Sequence, residues 1–212
     1  MEKYLRQHRE LLAQDLVKAL EKRNFESYYA KDVDDAKAIA LSLIPKGATV
    51  ASGGSVTLGQ AGIIDAVKSA DYNYLDRANP PAGMDAQGVL KAGLTADVYL
   101  TSSNAVTRDG QLVNIDGNGN RVAAMLYGPD KVIVVVGTNK ITEDVDSAVQ
   151  RVKDKASPPN TMRLGLDTPC AKTGRCADCR SASRICNMTT IMSYCRQKGR
   201  VAVIVVPEEL GF

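Results

Sequence analysis

Five cysteines, Cys170, Cys176, Cys179, Cys186 and Cys195, fall within 26 residues, and none lies elsewhere in the chain. Thiolates are soft ligands that hold structural zinc or build [4Fe–4S] clusters, and four of them close in sequence suffice for either. The first stretch, MEKYLRQHRE, is charged and has neither an apolar secretion core nor a small-residue cleavage site. A disulfide framework is therefore disfavoured, and metal ligation by Cys170, Cys176, Cys179 and Cys186 is the leading reading. Zinc ribbons present two tight cysteine pairs, whereas only Cys176 and Cys179 form one here, which tilts the choice to [4Fe–4S] with zinc as the alternative. Arg175, Arg180 and Arg184 would offset the thiolate charge with either metal. Cys195, at helical spacing from Ile191 and Met192, reads as a core cysteine. Free or redox-active thiols are the remaining alternative for the whole set.

Two other stretches have the residue types of a ligand site. In Ser52-Gly53-Gly54-Ser55-Val56-Thr57-Leu58-Gly59 a glycine pair between a strand and a helix lets backbone approach a ligand, and the Ser and Thr hydroxyls can hold an anion. The spacing is neither that of a P-loop nor that of a dinucleotide fingerprint, and a plain tight turn is the alternative. From Thr101 to Arg121, TSSNAVTRDGQLVNIDGNGNR, a hairpin turn at Asp109-Gly110 precedes Asp116-Gly117-Asn118-Gly119-Asn120, which can take positive φ repeatedly. Asn104, Asp116, Asn118, Asn120 and Arg121 set a carboxylate, amides and a guanidinium together, a set suited to a polar organic acid. Lys140 follows a strand in Gly137-Thr138-Asn139-Lys140, where open α/β sheets bind ligands. A simple loop and a solvated lysine are the bland alternatives.

What is missing narrows the reaction. There is no Trp, and His8, the single histidine, sits in a charged helical stretch, so a Ser-His-Asp or Cys-His mechanism has no base. Acid and base work falls to Asp, Glu, Lys or Tyr, with Asp116 and Lys140 as the catalytic candidates. Residues 151–200 hold eleven Lys and Arg against three Asp, a net of +8 within an overall +3. Such a segment suits an anionic substrate or an acidic partner. With Tyr194 as its one aromatic residue it does not suit a base-stacking reader of nucleic acid.

These residues need elements to position them. An amphipathic helix is expected over Glu2–Arg23 from Leu5, Leu12, Leu16, Val17 and Leu20. A second helix is capped by Asp32, buries Ala36, Ile39, Ala40 and Leu43, and ends at Pro45-Lys46-Gly47. Strands are expected at 48–52, 98–101, 112–115, 132–136 and 201–206, and helices at 56–67, 86–94 and 142–153. Apolar strands alternating with helices predict an α/β fold, a largely parallel sheet covered on both faces. We expect one domain over 1–212, an N-terminal helical extension over 1–30, and a cysteine-rich insertion over 160–198 before the last strand. Its core is too small to hold it, so a metal is expected to substitute for packing. No apolar run reaches the length of a membrane span, and a cytoplasmic location is expected.

Four stretches, Ser52–Gly59, Ala96–Asn104, Gly110–Arg121 and Gly128–Lys140, together resemble the lactate-utilization (LUD) domain family, which includes lactate utilization protein C. They fall in family order and cover most of residues 35–155. The ending PCAKTGRCADCRSASRICN looks like that of a stand-alone subgroup with a cysteine-rich motif. The resemblance implies the fold of ribose-5-phosphate isomerase, glucosamine-6-phosphate deaminase and CoA transferases. It implies an anion-binding role for Gly53, Gly54, Ser55 and Thr57, whose turn is similar to the phosphate-binding turn of the deaminase branch. It also implies participation in oxidation of L-lactate to pyruvate beside iron–sulfur oxidoreductase subunits, and it supplies no catalytic residue. The expected function is binding of a small anionic metabolite in organic-acid metabolism. The alternatives are a sugar-phosphate isomerase or CoA-ester transferase using Asp116 and Lys140, or a non-enzymatic redox or assembly module. A homo-oligomer is compatible with each.

Overall fold

The computed structural model describes residues 1–212. In chain order the elements are α1 (Glu2–Lys22), β1 (Glu26–Tyr29), α2 (Val33–Ser42), β2 (Thr49–Ser52), α3 (Val56–Gln60), α4 (Ile63–Ser69), β3 (Asn73–Tyr74), α5 (Ala86–Ala92), β4 (Val98–Thr101), β5 (Ala105–Thr107) and β6 (Leu112–Asp116). There follow α6 (Asn120–Leu126), β7 (Lys131–Gly137), β8 (Ile141–Thr142), α7 (Val145–Arg151), α8 (Ser157–Arg163), α9 (Pro169–Thr173), β9 (Met188–Met192) and β10 (Val201–Val206).

Six strands form a parallel sheet in the order β1-β10-β7-β4-β2-β3. Alternation along its central strands divides the core between two faces. Val132, Val134, Val136, Val201, Val203 and Val205 pack with α1, α5 and α6. Ile133, Val135, Ile204 and Val206 pack with α2, α3 and α4. With both faces covered, strands such as β10, VAVIVV, are apolar at every position. A second sheet, β8-β5-β6-β9, lies beyond the first and packs on α7 through Ala105, Val113, Ile115, Ala148 and Val152. No helix is long and apolar enough to cross a membrane.

Several expectations need correction. The helix expected over 56–67 is two helices, because Gly62 at φ 63° breaks the run. Residues 1–30 are not wholly helical: Glu26–Tyr29 pair with Ala202–Val205 and form the edge of the sheet. In α1, Leu5 is exposed while Ala13, Leu16 and Leu20 are buried, so only the second half of the helix lies on the body. The segment at 160–198 carries β9, which pairs along its whole length with β6. Cys195 is buried as expected, yet it follows a strand rather than sitting on a helix. Asp32 does cap α2, accepting from the Asp35 amide at 2.8 Å.

Candidate functional site

The chain leaves the sheet at the carboxyl ends of β2, β4, β7 and β10, and the segments that follow converge. Strand order reverses at β2, with β3 on one side and β4 on the other, and such switch points are where open parallel sheets leave a crevice for ligands. After β2 the Gly53 amide still donates to Leu100 O at 3.1 Å. A Cβ there would stand 3.3 Å from the Tyr99 hydroxyl and 3.4 Å from the Arg121 side chain. Glycine at 53 thus lets Arg121 pass beneath the loop. Ser55 caps α3, its hydroxyl oxygen accepting from the Leu58 amide at 3.2 Å.

Arg121 is the hub of the site. Its Nε and Nη2 donate to Asp116 Oδ1 at 2.8 and 2.5 Å, Nη1 donates to Asn114 Oδ1 at 2.6 Å, and Nη2 donates to Asn104 Oδ1 at 2.8 Å. The carbonyls of Ser102 and Ile115 accept from the same guanidinium. Asp116 Oδ2 accepts from the Val122 amide at 3.1 Å. Both oxygens of Asp116 are therefore occupied, and the residue expected as a catalytic base is a strut that fixes Arg121. By the same geometry Arg121 fastens the loops after β4 and β6 to α6 and has no donor left for a substrate carboxylate. Of the loop expected to take positive φ repeatedly, only Gly119, at 79°, does so. Burial pushes the Tyr99 phenol, beside Gly53, up to about 12.

Lys140 is 4% exposed. Its Nζ donates to Thr57 Oγ1 and to Ser102 Oγ, both at 2.8 Å. No carboxylate pairs with it. Burial, with Arg151 and Arg121 nearby, lowers it from 10.5 to about 7. Arg151 ties the Lys140 turn to its surroundings by donating to the carbonyls of Asn139, Asn104 and Phe212.

These groups surround a cavity of about 270 Å³. Gly54, Ser55, Thr57, Asn104, Asp116, Asn118, Asn120, Arg121 and Lys140 all line it, while Gly53 lies just behind the wall. The cavity also holds residues that sequence reasoning did not single out as ligand contacts: Arg77, Ser102, Ser157, Asn160, Arg163, Arg184 and Gly211. Arg163 and Arg184 belong to the basic segment, so the charge excess was a usable signal for them, whereas nothing in its surroundings marks Arg77. Four arginines and Lys140 line the cavity against one acidic side chain, Asp116, which Arg121 already neutralises. Arg77 has no acidic partner, and Arg163 donates only to the Asn160 amide oxygen.

A second, small cavity of about 20 Å³ adjoins the first, and Cys170, Cys176, Cys179 and Cys186 all line it. Cys170 lies in the first turn of α9, where the Thr161 and Thr168 hydroxyls lie 3.4 and 3.3 Å from its sulfur. Cys186 Sγ donates to Ser157 Oγ at 3.2 Å. Arg184 spans the rim, donating to the carbonyls of Cys179 and Cys186 and pairing with Asp178. Its hydrogen bonds go to carbonyls and a carboxylate, while its charge favours the Cys186 thiolate against the burial that pushes that thiol up. The cysteines are free thiols, and no three Cys, His, Asp or Glu side chains are arranged to hold a metal ion. Cys195 is remote from this group, in the core beneath α1. Ser157, Arg184 and Ile185 line both cavities.

A family model described as LUD domain matches residues 13–206. Among solved structures, a DUF162 family protein from Deinococcus radiodurans is similar, with a TM-score of 0.51 and 18% identity over 93% of this chain and 98% of that one. At that identity the likeness concerns the fold alone. No curated protein matches the sequence.

Proposed function

The chain belongs to the LUD-domain family, which is associated with lactate utilization, and from that premise we propose that it binds a small anionic organic acid and takes part in oxidation of the L-lactate to pyruvate type. The observation that carries this reading is the charge of the larger cavity: Arg77 and Arg163 stand at it without acidic partners, beside Lys140. A carboxylate or phosphate entering there would meet cations that nothing else satisfies. The volume suits a small metabolite and lies just below the usual range of ligand pockets. Arg121 and Asp116 position the walls in this reading, and the ligand contacts fall to Arg77, Arg163 and the loop amides. Taking electrons from a hydroxy acid needs a cofactor or partner to accept them. Iron–sulfur oxidoreductase subunits are the proposed partners.

The test is thermal unfolding with lactate, pyruvate, larger 2-oxo acids and sugar phosphates. A ligand at a hundred times its Kd should add about 2.7 kcal/mol, and Arg77→Gln with Arg163→Gln should remove that gain. Absence of stabilisation by every one of these anions would end the reading, and stabilisation by sugar phosphates alone would favour an isomerase.

Convergence of four thiols on one void supports a second assignment, a metal in the cysteine lobe. Cys170, Cys176, Cys179 and Cys186 are the proposed ligands, and thiolates of this number suit zinc or [4Fe–4S] chemistry. The void has room for about one water or one ion, which turns the preference to zinc. An eight-atom cluster would require the loop 174–187 to open. Metal and sulfide analysis after anaerobic purification separates the two, and protein free of both would return the cysteines to thiol chemistry.

A further inference from the structure

We infer that Lys140 is a nucleophile that condenses with the ketone of a small 2-oxo acid held in the larger cavity. The inference rests on the anion-binding reading above and names the reacting group within it. Thr57 Oγ1 donates to Leu210 O at 3.3 Å and Ser102 Oγ donates to Ser103 O at 3.4 Å. Both hydroxyl protons are turned away from Lys140, so both oxygens act as acceptors towards Nζ. An ammonium carries three N–H donors and a neutral amine carries two with a lone pair. Two acceptors and no carboxylate match the neutral amine, whose lone pair is then left for an electrophile in the cavity that Lys140 lines. Gly211 keeps the space beside the amine clear. At φ 63°, its missing Cβ would stand 3.4 Å from Nζ and 2.4 Å from Thr57 Oγ1.

The surroundings agree with this protonation state. Desolvation and the cations of Arg151 and Arg121 bring the amine to about 7, the means by which buried lysines become nucleophiles at neutral pH. The covalent step balances without an oxidant. Nζ bonds to the ketone carbon, the carbonyl oxygen takes up two protons and leaves as water, and a C=N bond replaces C=O. The protons lost by Nζ can pass through the Ser102 and Thr57 hydroxyls, whose present donor bonds are long and readily redirected. A cation at Arg77 or Arg163 would hold the acid's carboxylate during the step.

The experiment is reductive trapping on the full chain. Protein is incubated with pyruvate and sodium cyanoborohydride near pH 7, and the adduct is counted by intact mass and located by peptide mapping. At this pH an exposed lysine offers on the order of 1,000-fold less free amine than one titrating at 7, so one adduct at Lys140 is expected well ahead of any at exposed lysines such as Lys46. Lactate, which has no carbonyl, should stabilise the fold without forming an adduct, and Lys140→Arg should abolish labelling. Should Lys140→Arg fail to fold, Ser102→Ala should retain the adduct site and slow its formation. Labelling spread over exposed lysines, or none at Lys140 while pyruvate still raises the unfolding temperature, overturns this inference and leaves the binding reading intact. No adduct, together with no stabilisation by lactate, pyruvate, larger 2-oxo acids or sugar phosphates, removes both.

Discussion

The two cavities share a wall and are built by opposite means. The larger one hangs on the carboxyl ends of parallel strands, and its innermost groups are already satisfied: Arg121 spends its donors on Asp116, Asn104 and Asn114, and Lys140 has an acceptor for each N–H of its neutral form, leaving Arg77 and Arg163 for a ligand. The thiol cavity is enclosed by a five-residue helix and a run from Gly174 to Asn187 without helix or strand. The contacts at its sulfurs are few and weak, hydroxyls at Cys170 and Cys186, and Arg184 holds the rim through backbone carbonyls. The first site is set before any ligand arrives, whereas the second has four thiols around one void without the arrangement that holds a metal ion. Preorganisation of the one and completion of the other should separate in experiment.

Removing the hub of the larger cavity should have the largest effect. Arg121→Ala leaves the Asp116 carboxylate and the Asn104 and Asn114 side chains in a site that is mostly closed to water, with side-chain exposures in the ion pair of 13% and 10%. Breaking a buried ion pair from one side costs about 3–5 kcal/mol, and urea unfolding should show a loss of that size. In metal-free protein Cys176→Ser, in a half-exposed loop, should cost under about 0.5 kcal/mol. Equal losses from the two substitutions would break the contrast.

Metal should narrow the gap by raising the cost of cysteine substitution in the lobe. With a site ion at a hundred times its Kd, about 2.7 kcal/mol is added, and Cys176→Ser with Cys179→Ser should erase it. Amide hydrogen exchange should slow over residues 168–187 and stay unchanged in β4 and β7. Protection that rises evenly across the sheet would mean that the lobe is not a separate unit.

The same contrast governs what could be read from sequence. The long apolar runs of β7 and β10 and the capping of α2 by Asp32 are local signals, and they gave strands and a helix within a residue or two of those observed. Of the second sheet only the strand at 112–115 is expected from the sequence; β5 and β8 are short and Met188–Met192 is mostly exposed, and their pairing depends on partners far away in sequence. Loops around Gly53, Asp116 and Lys140 were legible because their residue types suit a ligand. Their actual division of labour was not. That Asp116 is consumed by Arg121, and that Thr57 serves Lys140, follows from the meeting of β2, β4 and β7, which no local pattern contains. Arg77 was missed because an exposed arginine in a Pro- and Gly-rich loop looks like any other.

The protonation of Lys140 sharpens the claim that the larger cavity is set in advance. Its amine titrates at about 7 in the folded chain against 10.5 ordinarily. Between those values the unfolded chain binds the proton that the folded chain rejects, so stability rises with pH through that window, by at most about 1.4 kcal/mol per unit. Below 7 both states are protonated and this contribution is constant. Lys140→Met should flatten the rise between pH 7 and 10, measured by urea midpoints, with little change in the slope of unfolding. A wild-type profile that is already flat there would place the lysine in its ordinary charged state and weaken the case for an amine prepared in the fold.

The smallest effect joins the two cavities. Ser157, Arg184 and Ile185 belong to both walls, the Asn187 amide donates to Asp116 O at 2.8 Å, and a Cβ at Gly117 would touch Ile185 at 3.3 Å. An ion that orders the cysteine loop must therefore also fix the Arg184 side of the anion cavity. Coupling between neighbouring sites commonly starts near 1 kcal/mol, so zinc should tighten anion binding roughly fivefold, and by linkage the anion should tighten zinc by the same factor. Titrating pyruvate calorimetrically with and without zinc, and zinc with and without pyruvate, measures both arms. Arg184→Gln should remove the coupling while each ligand still binds alone, because the arginine's bonds to the Cys179 and Cys186 carbonyls are what connect loop to wall. Two independent titrations in the wild-type protein would show instead that a shared wall is only a shared boundary.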